Sequence, residues 1–188
     1  QKQLFATGLS YQLNKKIKIE SEMALSTNDL NTFSSLDNND NNGLAERTKI
    51  IHTALIGDTS KGWQIENKAE FEYLHANFLP IEQYRSVEFD RDWNTRNKGL
   101  EGQQLFSVLN SKIKQKSYGF INLTAQRYTI GSNYLGNRLY SDGKWHQKGW
   151  SVNWNGSYLS SKNAGSNTFF RHRLDISKKF GPIIIGYK

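Results

Sequence analysis

The densest run of groups able to do chemistry is Arg85-Ser86-Val87-Glu88-Phe89-Asp90-Arg91-Asp92-Trp93-Asn94. Guanidinium and carboxylate groups alternate along it, which suits an ion-paired loop serving as plug or rim. Its carboxylates can also serve acid–base chemistry. Nothing beside them supplies a nucleophile, a metal centre or a phosphate cradle, so the run reads as structural. A second candidate is Asn38-Asn39-Asp40-Asn41-Asn42-Gly43. Oxygen donors on alternate residues, followed by Gly, match the opening of a calcium loop. Glu46 can add a ligand, but position twelve, where a bidentate Glu belongs, is Lys49. An Asx-rich surface loop is the plainer reading, and calcium is the one cofactor left open.

Other chemistry is excluded by what is missing. The chain has no cysteine, which removes disulfides, thiolate catalysis and cysteine–zinc sites together. His52, His75, His146 and His172 stand in no metal-ligand spacing. No nucleophile elbow, P-loop or dinucleotide-binding glycine motif occurs. The sequence therefore names no catalytic, cofactor-binding or metal residue, and predicts that the protein is no enzyme. Asn122-Leu123-Thr124 and Asn155-Gly156-Ser157 are formal glycosylation sequons, but both fall in predicted strands.

The formal net charge is +8. Such a balance can mark a nucleic-acid or anionic surface. Here Lys and Arg are scattered, and the densest groups, Lys15-Lys16-Ile17-Lys18 and Lys112-Ile113-Lys114-Gln115-Lys116, sit at predicted hairpin tips. Solvated turn charge is the reading, with no nucleic-acid partner. Trp93, Tyr134, Tyr140 and Trp145 on long Asn- and Asp-bearing loops would suit sugar stacking, the feature of an alternative soluble binding module.

These groups must be positioned by strands. From Trp63 to Tyr73, one parity reads Trp, Ile, Asn, Ala, Phe, Tyr, and the other Gln, Glu, Lys, Glu, Glu. That is a strand with one apolar and one charged face. The same period predicts nine strands, near residues 5–13, 16–26, 44–57, 63–75, 103–114, 117–130, 148–159 and 168–178, and from Pro182 onward. Long loops are expected near 27–43, 76–102 and 131–146. Connections alternate short and long over the first six. In an antiparallel meander this gathers long loops at one end, as in outer-membrane barrels. Trp63 and Tyr73 lie ten residues apart on one face, about 33 Å along the strand. At a tilt of about 40° they stand about 25 Å apart in height, the separation of two aromatic girdles. Trp150 and Tyr158 repeat the pattern, whereas Tyr118 and Tyr128 share a parity with polar residues.

Composition agrees. Aromatic content is 13% with only 2 prolines, as suits long strands. Mean hydropathy is −0.72, and no apolar run reaches the length of a spanning helix. The expected fold is all-β: an antiparallel meander forming an outer-membrane-type β-barrel or part of one, over residues 1–188 as a single domain. Lys18, Glu20, Glu66, Lys68, Glu70, Arg171 and Arg173 would line the lumen. Ile19, Leu25, Ile65, Phe71, Val152 and Leu174 would face lipid or a partner. The alternative soluble sandwich or barrel reverses the faces. An odd strand count and an abrupt end in Gly181-Pro182-Ile183-Ile184-Ile185-Gly186-Tyr187-Lys188 predict a fragment that needs flanking sequence to close.

Glu22-Met23-Ala24-Leu25-Ser26-Thr27-Asn28-Asp29, the Asn/Asp-rich stretch through Gly43 and Arg85–Asn94 resemble segments of large outer-membrane β-barrel proteins of Bacteroidota-type bacteria. The resemblance covers roughly the first half by motif and the rest by strand style. It implies an outer-membrane location, a lipid bilayer and other envelope proteins or the rest of the barrel as partners, and a transport, assembly or structural role. It carries over no functional residue.

Overall fold

The computed structural model describes residues 2–29, 41–57 and 62–187. They form an all-β antiparallel meander: one sheet of ten strands in strict chain order. The strands are β1 (Lys2–Asn14), β2 (Ile17–Asn28), β3 (Asn42–Leu55), β4 (Trp63–Leu74), β5 (Gln104–Gln115), β6 (Gly119–Ile130), β7 (Tyr134–Gln147), β8 (Trp150–Lys162), β9 (Ser166–Phe180) and β10 (Ile183–Tyr187). The sheet is not closed, and β1 and β10 are its edges. The only helix among the described residues is the four-residue α1 (Phe89–Asp92), so no helix there is long and apolar enough to cross a membrane.

Turn chemistry fixes the hairpins. The Asn14 side-chain oxygen accepts the backbone N–H of Lys16 at 2.8 Å and of Ile17 at 3.0 Å, an Asx closure of the β1–β2 turn. Lys148 and Gly149 join β7 to β8 with φ of 47° and 79°, the left-handed pair of a hairpin turn whose twist matches its strands.

Residues 131–146 overturn an expectation. They are no long loop: a three-residue turn leads straight into β7, which makes ten strands rather than nine. Two glycines inside β7 dilute its alternation. Each leaves room for a ring. A Cβ on Gly136 would stand 2.9 Å from Trp93 Cε3, and one on Gly143 would stand 2.2 Å from Trp154 Cη2. Glycine in a strand interior often marks such close approach. Tyr118, expected inside the sixth strand, lies in the turn before β6, and the last strand starts at Ile183 rather than Pro182. The connection 75–103 lies at the same end of the sheet as the C-terminal end of β2 and the start of β3.

Register separates two faces. One carries Ile19, Leu25, Ile50, Ile65, Phe71, Leu109, Leu123, Val152, Leu174 and their same-parity neighbours. Many are open to solvent: Leu109 is 63% and Phe170 67% exposed. Polar residues on this face find partners within it. Ser111 Oγ donates to Asn67 Oδ1 at 2.8 Å, Asn67 Nδ2 lies 3.2 Å from His52 Nδ1, and Trp154 Nε1 donates to Ser141 Oγ at 3.0 Å. The opposite face carries Lys18, Glu20, Glu66, Lys68, Glu70, Arg171 and Arg173, as the alternation predicts. Ion pairs lace it, among them Lys18–Glu20 at 2.6 Å, Lys49–Glu20 at 3.1 Å and Arg47–Glu70 at 3.0 Å.

The strands are also staggered. Directly opposed residues run in the row Tyr11–Ile19–Ile50–Ala69–Leu109–Ala125–Leu139–Tyr158–Phe170. The row lies three residues (11 to 14) from the end of β1 but ten (170 to 180) from the end of β9. At the other end it lies nine residues (19 to 28) from the end of β2 and four (158 to 162) from that of β8. The strand ends thus slip by about one residue per neighbour, the stagger that a tilted barrel wall requires. Following that slip, Tyr11, Trp63, Trp145, Trp150 and Phe180 fall on one line near the tight turns. Phe5, Tyr73, Tyr158 and Phe170 fall on a second line toward the long loops. Among the described strand residues of this face only Glu46, Arg127, Lys162 and Lys178 are charged, and all four lie beside or beyond those lines rather than in the middle of the band.

Candidate functional site

The long connection 75–103 does not extend away from the sheet. It folds back over the charged face and touches strand after strand. Lys2 Nζ donates to the Pro80 carbonyl at 2.7 Å, and the Leu79 N–H donates to Ser26 Oγ at 3.0 Å. Gly43 on β3 passes so near Phe78 that an added Cβ would stand 2.3 Å from its Cα. Further along, Arg85 pairs with Glu72 of β4, with both side chains largely buried. The Arg85 guanidinium carbon sits 4.2 Å from the Phe89 ring centroid, 4.9 Å from Tyr84, 5.3 Å from Tyr128 and 5.4 Å from Phe106. Its Nε is buried without a hydrogen-bond partner and lies within this ring of π faces, so cation–π attraction supplies what a hydrogen bond does not.

Trp93 is the anchor. It is 2% exposed and meets Phe106 and Tyr128 edge-on at 5.7 and 5.5 Å between centroids. The Tyr134 hydroxyl donates to the Trp93 carbonyl, and Ile130 and Leu159 complete the cluster. This is the main apolar core of the described residues, and it lies under the loop on the otherwise charged face. Beyond it, Asp92 approaches Arg138 of β7 at 3.5 Å and Arg171 of β9 at 3.6 Å. Between the loop and β1–β4 runs an open cleft of about 1110 Å³, lined by Glu22, Arg47, Glu70, Glu72, Tyr84 and Arg85 among others.

The mixed-charge run Arg85–Asn94 is an ion-paired loop segment packed on the charged face. Asp90 Oδ1 accepts the Thr95 hydroxyl at 2.9 Å, and Arg91 pairs with Glu88 at 2.5 Å. The sugar-stacking set is not brought together. Trp93 and Tyr134 are buried in the core. Tyr140 lies on the charged face, accepting Asn155 Nδ2 at 2.7 Å. Trp145 lies on the apolar face, stacked on Tyr118 at 5.2 Å and on Trp63 at 6.4 Å. Because β7 is a strand, none of the last three stands on a loop. Of the calcium candidate, Asn38, Asn39 and Asp40 lie outside the described residues, while Asn42 and Gly43 open β3. Asn122 and Asn155 of the two sequons sit within β6 and β8.

In sequence the wall partners Glu72, Phe106, Tyr128 and Arg138 look like ordinary strand residues, and the one signal for them is the polar parity of Tyr128. Chemically the arrangement holds a loop against a charged wall and leaves an ion-lined cleft. Comparison with protein-family models, curated proteins and solved structures finds no match to this chain.

Proposed function

We propose that this chain forms wall of an outer-membrane-type β-barrel in a bacterial envelope, with a transport, assembly or structural role and no catalysis. The apolar face meets lipid. The charged face lines a polar lumen narrowed by residues 75–103. The observation that carries this reading is the uncovered apolar band, free of charge between two aromatic lines that follow the strand stagger. Aromatic girdles flanking an outward apolar band are the pattern of such barrels. Internal hydrogen bonding of Asn67, Ser111 and Ser141 fits a surface where water supplies no partners. The bilayer, other envelope proteins and further barrel strands are the proposed partners, consistent with the envelope proteins that the sequence resembles.

The soluble module is the weaker reading for a specific reason. A soluble sheet buries its apolar face with its own chain. Here the one long described connection covers the charged face instead. The test is detergent dependence. Refolding into micelles or vesicles with aggregation in plain buffer supports the proposal, and a monodisperse, folded monomer in plain buffer contradicts it.

A further inference from the structure

We infer that the charged face holds an oxyanion site between β7 and β9, at Arg138 and Arg171, which the loop's own Asp92 occupies. Three guanidinium groups converge on that single carboxylate. Arg91 reaches it at 3.3 Å, Arg138 at 3.5 Å and Arg171 at 3.6 Å. Arg91 is already committed to Glu88 at 2.5 Å. The other two contacts exceed ordinary charge-assisted hydrogen-bond lengths of about 2.7–2.9 Å. One carboxylate therefore neutralises part of the cluster and satisfies little of its donor capacity.

The site is also built rather than merely charged. Arg138 Nε donates to Ser157 Oγ at 2.9 Å, which fixes its planar fork. Leu159 and Phe169 wall the small cleft that these groups line. Apolar walls lower the local dielectric and strengthen an ion held there. The surrounding wall is lopsided in the same sense. On the charged face, β5, β7 and β9 carry Lys112, Lys114, Arg138, Lys144, Arg171, Arg173 and Lys179 against Asp142 and Asp175. A field of this sign concentrates anions along the wall. The fitting ligand is a soluble oxyanion, phosphate or carboxylate, able to accept from two guanidinium groups at once. Asp92 is its intramolecular competitor, so ligand binding frees this part of the loop.

The test is titration of the folded full chain, in the medium in which it folds, with inorganic phosphate against chloride at matched ionic strength. Binding is followed by calorimetry. The parent binds phosphate and not chloride. Asp92→Asn removes the competitor and tightens binding by roughly fivefold, the equivalent of about 1 kcal/mol for one ion pair. Arg171→Gln, at a side chain that is 60% exposed, abolishes the phosphate heat. Far-UV circular dichroism confirms that each variant retains its strands. Absence of phosphate binding in both the parent and Asp92→Asn overturns the site, as does phosphate binding undiminished in Arg171→Gln.

Discussion

Replacing Trp93 by Ala detaches the loop while leaving the sheet in place. The indole is 2% exposed and lies within 6.0 Å, centroid to centroid, of Phe89, Phe106 and Tyr128. Removing a buried Trp costs about 3–5 kcal/mol, partly as transfer energy and partly as the cavity left behind. Together with the Tyr134 hydroxyl on its carbonyl, these contacts tie residues 75–103 to β5, β6 and β7, and none of them belongs to a strand ladder. The cost therefore falls on loop opening rather than on strand pairing. At about 1.4 kcal/mol per tenfold, the open population rises by roughly two to three and a half decades, until the loop is open outright. Limited trypsin digestion reads this directly, because Arg91, Arg96 and Lys98 lie in the loop. When opening is fast relative to cleavage, the rate tracks the open population. Cleavage after these residues, identified by mass spectrometry, should be far faster in Trp93→Ala, with unchanged far-UV circular dichroism. A variant cut no faster than the parent would refute the anchoring argument.

Three further outcomes follow from the same geometry. Gly136→Ala places a Cβ 2.5 Å from the Tyr134 hydroxyl and 2.9 Å from Trp93. Overpacking of about 1–3 kcal/mol should reproduce the loop-opening phenotype from the strand side in the same digestion assay. Glu72→Gln leaves the buried Arg85 without its counter-ion and should destabilise the loop by about 3–5 kcal/mol. A double-mutant cycle with Arg85→Met should show coupling above about 0.5 kcal/mol, and additive effects would count against the pair. Leu109→Arg places a charge on the apolar face between the two aromatic lines. It should cost about 2–4 kcal/mol for folding into vesicles, measured by denaturant titration, whereas Asn153→Arg on the charged face should cost little. If position 109 tolerates Arg as a water-facing site would, within about 0.5 kcal/mol, the lipid-facing assignment fails.

How far the sequence reveals this molecule depends on which forces act locally. Alternation in β4 and β8 is written residue by residue, because each side chain answers to only one face. The assignment of Lys18, Glu66 and Arg171 to one face and of Ile19, Phe71 and Leu174 to the other follows from that period alone. β7 escapes the same reading because Gly136 and Gly143 answer to rings that arrive from elsewhere, Trp93 from the loop and Trp154 from β8. Their glycines signal a loop locally and a close approach globally. The aromatic lines are half legible: Trp63 and Tyr73 show them within one strand, but their continuation needs the inter-strand stagger, which is set by pairing. The alternation of Arg and carboxylate in Arg85–Asn94 announces an ion-paired segment. Its docking on Glu72, Arg138 and Arg171 does not show, since those partners lie on three strands and look like ordinary wall charges. Trp93 and Tyr134 illustrate the converse error, for an aromatic beside Asn and Asp in sequence need not be exposed in space.

The central claim, that the apolar face meets lipid and the charged face meets water, is most directly tested by a nitroxide scan along β5. The absence of cysteine allows single labels at each position from 105 to 113 without background. In vesicle-reconstituted protein, collision with oxygen should alternate with collision with a water-soluble nickel chelate. Oxygen should dominate at 105, 107, 109, 111 and 113, with the strongest contrast near 109, and the chelate should dominate at 106, 108, 110 and 112 wherever the loop does not shield the label. Equal access of the nickel chelate to both parities, or its preference for the parity of Leu109, would contradict the account.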